Sequence, residues 1–124
     1  MPRQMSFKLT QDQMRNRTKS VTRRVGWDFL KEGDLISAVV RGQGLKLNES
    51  PVRIGMIRII GCRAELLSRV VDDPEYGKSE MVLEGFPGMK PEDFVVMLEA
   101  TNKDANVSIL NRIEFEFVEE EVDV

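Results

Sequence analysis

A chain of 124 residues, 41% apolar and 31% charged, has the length of one domain with one core and no room for a second. It contains no histidine and a single cysteine, Cys62, which excludes histidine-based triads, the usual zinc ligand sets and an internal disulfide. The net charge of −3 hides an asymmetry: residues 1–24 carry +6 and the rest −9, so an anion site is expected near the N-terminus rather than indiscriminate nucleic-acid binding. The same asymmetry also fits two ends of the chain that attract each other.

No apolar run reaches the roughly 20 residues that span a bilayer, and "MPRQMSFKLT" lacks the apolar segment of a signal peptide, so no membrane contact and a cytoplasmic address are expected. In chain order, "MSFKL" reads as a first strand. Thr10 with Gln13 forms a capping-box pattern opening a helix "QDQMRNR". The β-branched "SVT" that follows is extended, which sends Lys19, Val21 and Arg23 to one side and Ser20, Thr22 and Arg24 to the other. A twisted or bulged pleat there brings Lys19 and Thr22 to one pocket.

"WDFLKEGD" reads as a helical turn stopped by Gly33, "LISAVV" as a buried strand, and "RGQGLKLNES" as a glycine loop. From Val52 to Leu67 the chain is β-rich, but its apolar positions change parity between Met56 and Ile57, which predicts a bulge near Gly55 or Gly61. "VVDDPEYGKSE" and "EGFPGMKP" read as turn-rich, and a helix begins near Pro91 with Phe94, Val95, Met97 and Leu98 along one side. In the last strand Val107, Ile109, Ile113, Phe115 and Phe117 share the inward parity with Asn111. Ser108, Arg112, Glu114 and Glu116 share the other. This order lacks βαβ alternation and predicts an α+β fold, a small mixed sheet or barrel carrying two helices.

Chemistry concentrates in "RTKSVTRRVGW", residues 17–27. Lysine and threonine cooperate without histidine when the lysine is neutral often enough to take the threonine's proton; burial or neighbouring Arg23 and Arg24 favour that state at Lys19. Glu84 in "LEGFPGM" is the candidate carboxyl partner. Arg17, Arg23 and Arg24 are candidate phosphate contacts, with Arg24 equally suited to an ion pair with the C-terminal strand. Lys46 in "GQGLK" either closes over an anion or tips a hairpin. Trp27 either stacks on a base or caps the core, Tyr76 and Phe86 are weaker stacking candidates, and Cys62 reads as a small buried strand residue.

The ordered series "TKSVTRR", "LKEGD" and a strand, "GQGLK", "EGFPGMKPEDFVVML" and "RIEFEFV" resembles the ASCH domain family of the PUA-like superfold, over roughly residues 6–118 with residues 119–124 as an acidic tail. It is most similar to the small stand-alone bacterial and phage type. The resemblance implies a mixed β-barrel of about six strands with covering helices, no cofactor or metal, and a cleft for RNA or a modified nucleotide or nucleoside lined by Arg17, Ser20, Arg23, Arg24, Trp27 and Lys46. One branch of that family hydrolyses N4-acetylcytidine. Its "KTITIR"-like segment matches "KSVTRR" at Lys19, Thr22 and Arg24, with Ser20 in place of a threonine and Arg23 in place of an apolar residue. By that likeness Lys19 is the proton acceptor, Thr22 the nucleophile and Glu84 the proton donor. The alternatives are therefore a nucleotide-binding module, an N4-acylcytidine amidohydrolase, and an accessory protein that binds a protein partner through its acidic C-terminal strand.

Overall fold

The computed structural model describes residues 3–40 and 52–119, which form an α+β fold of five strands and four helices. The strands are β1 (Arg3–Ser6), β2 (Val21–Arg24), β3 (Leu35–Val40), β4 (Val52–Leu66) and β5 (Ile109–Val118). The helices are α1 (Gln11–Arg15), α2 (Arg69–Asp72), α3 (Pro74–Glu84) and α4 (Pro91–Thr101). One mixed sheet runs β1-β3-β4-β5-β2, parallel between β1 and β3 and antiparallel elsewhere.

The family resemblance implies about six strands closed as a barrel; the described residues give five, with β1 and β2 as the two edges of an unclosed sheet. The ladder slips beside both glycines, Gly55 and Gly61, on either side of the parity change. One register shift lies between Ile59 and Gly61 against β5, and another between Ala38 and Val39, opposite Gly55 and Arg53. Each slip re-aims the side chains that follow it along this 15-residue strand.

Two cores lie on opposite faces of β5. Ile113 and Phe115 pack with Met5, Phe7, Ile36 and Ile57, whereas Leu110 packs with Val70, Met81 and Phe94 beneath the helices. The simple alternation therefore fails at the start of β5: Ile109 is 59% exposed, while Arg112, assigned outward, is buried under α3. A sheet covered on both faces leaves no outward row for the alternation to report.

Three local expectations are corrected. "WDFLKEGD" forms hydrogen-bonded turns, Leu30 N–H to Trp27 O and Asp34 N–H to Lys31 O, rather than a helical element. Thr10 precedes α1 without a side-chain cap, since Gln13 Nε2 donates instead to Gly85 O at 3.2 Å. The segment read as turn-rich contains α2 and α3. Asp73 caps α3 by accepting from Tyr76 N–H, and Pro74 occupies its first turn, where a missing N–H costs nothing.

Gly77 is what allows α3 to lie against α2. A Cβ there would sit 1.8 Å from the carbonyl oxygen of Val70, a backbone atom that cannot swing aside. Gly77→Ala is therefore expected to lower the thermal midpoint by several degrees, an overpacking cost of about 1–3 kcal/mol, despite alanine's higher helix propensity. A midpoint at or above the parent's in a thermal melt would refute this account of the α2–α3 contact.

Candidate functional site

Helix α3 presents Gly77, Glu80, Met81 and Glu84 to the interior, the spacing of one helical face. Two of these four are carboxylates, and the strand beneath supplies cations to meet them. Glu84 Oε1 accepts from Lys19 Nζ at 2.8 Å, and its Oε2 accepts from Arg23 Nη1 at 2.9 Å. Arg23 Nη2 also reaches Glu65 at 2.9 Å and Glu80, while Arg112 forks onto both oxygens of Glu80. Lys19, Arg23, Glu65, Glu80, Glu84 and Arg112 are all buried.

Charges removed from water persist only when paired and hydrogen-bonded, and this set is paired in both directions. Burial alone would raise the Glu80 carboxyl, but hydrogen bonds from Arg112 and Arg23 outweigh it and hold it at about 2. Burial drives the Lys19 ammonium below its usual value of 10.5, against the opposing pull of Glu84. Three carboxylates converge here on a guanidinium; among the described residues no group of His, Cys, Asp or Glu suits a metal ion. The Nε of Arg23 is buried without an acceptor among the described residues.

The end of α3 is locked over the lysine. Gly85, at φ +94°, closes the helix with Phe86 N–H bonded to Met81 O and Gly85 N–H to Val82 O, a Schellman arrangement that turns Phe86 back onto the core beside Met81. A Cβ at Gly85 would also approach Gln13 at 2.9 Å and the Lys19 Cβ at 3.4 Å. Ser20 completes the clasp through its backbone, donating to Leu83 O at 2.8 Å and accepting from Phe115 N–H at 3.0 Å.

A cavity of about 410 Å³ opens along the free edge of β2. Lys19, Thr22, Arg23, Arg24, Trp27 and Glu84 all line it. Alternation along β2 holds as read from the sequence, since Lys19 and Arg23 share Glu84 while Arg24 Nε donates to Thr22 Oγ1 at 3.0 Å on the other side. Both sides reach one cavity because, among the described residues, β2 pairs only with β5, so the cavity wraps its other edge. Arg24 spans toward β1, donating from Nη2 to Ser6 O at 2.7 Å and lying 4.7 Å from the centre of the Phe7 ring. Its acceptors are neutral oxygens, with no carboxylate within ion-pair distance among the described residues; burial lowers it to about 10, leaving it charged at neutral pH.

The remaining candidates lie elsewhere. Arg17 is exposed, pairs with Glu119 at 3.5 Å and lines a second cavity, of about 400 Å³, with Arg15, Arg53 and Phe117. Ser20 does not line the β2 cavity, and Lys46 falls outside the described residues. Trp27, at φ +65°, packs half-buried on the core and against Phe29, so it both borders the cavity and caps the core. Tyr76 joins the ionic network through Glu65 at 2.6 Å, and burial raises the half-buried Cys62 thiol, which keeps it protonated. Glu65, Glu80 and Arg112 were not singled out by the sequence; for Glu80 the signal was its helical spacing from Gly77, Met81 and Glu84.

No protein-family model, no curated protein and no solved structure matches this chain.

The Glu80 carboxyl is lower in the folded chain than its ordinary value of 4.5, so its stabilisation is complete above that value and is lost as pH falls through about 2. Denaturant unfolding between pH 6 and 3 should show stability declining with acid, and Glu80→Gln should lower stability at pH 6 by about 3–5 kcal/mol while flattening that decline. Equal slopes for the two proteins would remove Glu80 from this role. Gly85→Ala, forced into the left-handed region, should cost about 1–2 kcal/mol in the same assay.

Proposed function

We propose that this chain is a small ASCH-like, PUA-like domain of the cytoplasm whose β2 cavity binds one nucleotide, free or at an accessible position in RNA. The observation that carries the reading is Arg24: a cation on the cavity wall, held in place by neutral oxygens and with no carboxylate at ion-pair distance among the described residues, is a ready partner for an anion. Lys19 and Arg23 stand beside it but are already matched by Glu84, so the unspent charge comes from Arg24, with the exposed Lys8 on the same wall. A volume of about 410 Å³ suits a mononucleotide and is small for a duplex. An overall charge of −3 disfavours long polyanions in the same direction. The seam between β1 and β2, spanned by the Arg24 side chain, is where a PUA-like barrel of this sequence would remain open to ligand.

The test is equilibrium binding of cytidine 5′-monophosphate and of short single-stranded RNA, with Arg24→Gln beside the parent. Loss of a charge-assisted contact, about 1.5–3 kcal/mol, predicts affinity lower by at least tenfold and a weaker dependence on salt. Unchanged affinity in Arg24→Gln would overturn the assignment.

A second reading, amide hydrolysis of N4-acylcytidine, is favoured by the 2.8 Å contact between Lys19 Nζ and Glu84 Oε1 and by the lowered Lys19 ammonium. In that reading neutral Lys19 takes the Thr22 hydroxyl proton as Oγ1 attacks the acyl carbon. The proton crosses to Glu84, which delivers it to the cytosine nitrogen as the C–N bond breaks, and water then releases the acyl group from Thr22. Arg24 beside Thr22 Oγ1 would stabilise the developing alkoxide. Against it stands Arg23, which holds Glu84 Oε2 and so competes with proton delivery. Release of cytidine from N4-acetylcytidine, followed by chromatography and abolished in Thr22→Ala without loss of ligand affinity, would establish hydrolysis; no release by folded protein leaves binding as the function.

A further inference from the structure

The β2 cavity reverses the ordinary distribution of side chains. Its floor is polar and buried: Lys19, Thr22, Arg23 and Glu84 are each no more than 5% exposed. Its rim is wet and carries apolar side chains beside polar ones: Leu9 is 61% exposed and Val25 42% exposed, next to exposed Lys8 and Thr101. Met97 and Leu98 of α4 complete the rim half-buried, with Phe86 and Phe94 behind them. A single exposed leucine needs no explanation, but apolar side chains from three separate segments gathered around one charged cavity do.

Each segment places its residue for a local reason. Leu9 lies in the turn after β1, where Thr10 N–H bonds Phe7 O and tips the side chain off the core. Val25 directly follows β2 and precedes Gly26 at φ +79°, where the chain leaves the sheet. Met97 and Leu98 lie one turn beyond Phe94, the residue that anchors α4. Water at such a rim is released when an apolar group covers it, whereas a ligand that is polar throughout gains nothing there.

From this arrangement we infer that the ligand is amphipathic, an anionic head seated against Arg24 and an apolar alkyl or acyl substituent lying across Leu9, Val25 and the Met97–Leu98 edge of α4. Resting on the proposed function, the natural form is a nucleotide whose base carries a hydrophobic modification. The specificity then belongs to the rim, and the charge recognition to the floor.

Titration calorimetry with four probes tests this: inorganic phosphate, hexyl phosphate, cytidine 5′-monophosphate and its N4-hexyl derivative, whose C–N bond is not an amide and survives any hydrolysis. A buried methylene is worth about fourfold in affinity, so a partly covered hexyl chain should tighten binding on the order of tenfold or more over the unmodified nucleotide. The double variant Leu9→Ser, Val25→Ser, altered only at exposed positions and therefore expected to fold, should erase that gain and leave affinity for the unmodified nucleotide within about twofold. Equal affinity for the two nucleotides, or a gain that survives in the double variant, overturns the inference while the nucleotide reading stands. If neither nucleotide binds, the nucleotide reading falls and the phosphates decide. Hexyl phosphate binding at least tenfold tighter than inorganic phosphate, and losing that margin in the double variant, upholds an amphipathic ligand; equal or absent binding overturns it.

Discussion

The buried carboxylate of Glu84, shared between Lys19 and Arg23, is the contact on which the rest of the arrangement depends. It joins the end of α3 to the start of β2, two pieces of chain more than sixty residues apart. Neither partner is stable in the interior alone: a buried ammonium or guanidinium without its counter-ion carries several kcal/mol of desolvation. Glu80 and Glu65 extend the same logic along Arg23, and Arg112 closes it from β5. The helix layer is thus fixed over the sheet in one orientation by charge matching as well as by the small apolar cluster of Leu67, Val70, Met81, Phe94 and Leu110.

This choice of glue explains the shape of the cavity. An apolar α3 would slide on its neighbours with little penalty, whereas the forked contacts of Arg23 and Arg112 tolerate few geometries. With α3 fixed, the Gly85 turn brings Phe86 back to the core, and the edge of β2 is left facing a space bordered by α4 on one side and the turn after β1 on the other. The proposed function rests on what the network leaves over. Arg24, one residue beyond Arg23, lines the cavity with no carboxylate of the described residues at ion-pair distance, as does the exposed Lys8, and Thr22 holds a hydroxyl beside Arg24.

Arg23 also bears on which chemistry the site supports. Where the hydrolytic pattern that "KSVTRR" resembles has an apolar residue, this chain buries a guanidinium that holds Glu84 from the side opposite Lys19. A carboxylate whose two oxygens are each held by a cation is a good structural anchor, and neither oxygen of Glu84 is left facing a substrate unengaged. That weighs toward binding, even though the lysine, threonine and glutamate border one space.

Much was legible in the sequence itself. Composition excluded a histidine site, Gly55 and Gly61 in the long strand marked where its ladder slips, and β-alternation sorted Lys19 and Arg23 from Thr22 and Arg24 correctly. These succeed because they depend on neighbours along the chain. Helix α3 was not legible, because its inward face is Gly77, Glu80, Met81 and Glu84, so the apolar period that betrays a buried helix is absent. Likewise Arg112 stood on the outward row of an apparently simple alternating strand until a second layer covered it. Whether a charge is solvated or buried is decided by the opposite charge it meets, and here that partner comes from an element distant in sequence. Local pattern therefore determined the strands and the basic segment, and only tertiary structure decided which of its cations are matched by buried carboxylates and which one is held by neutral oxygens.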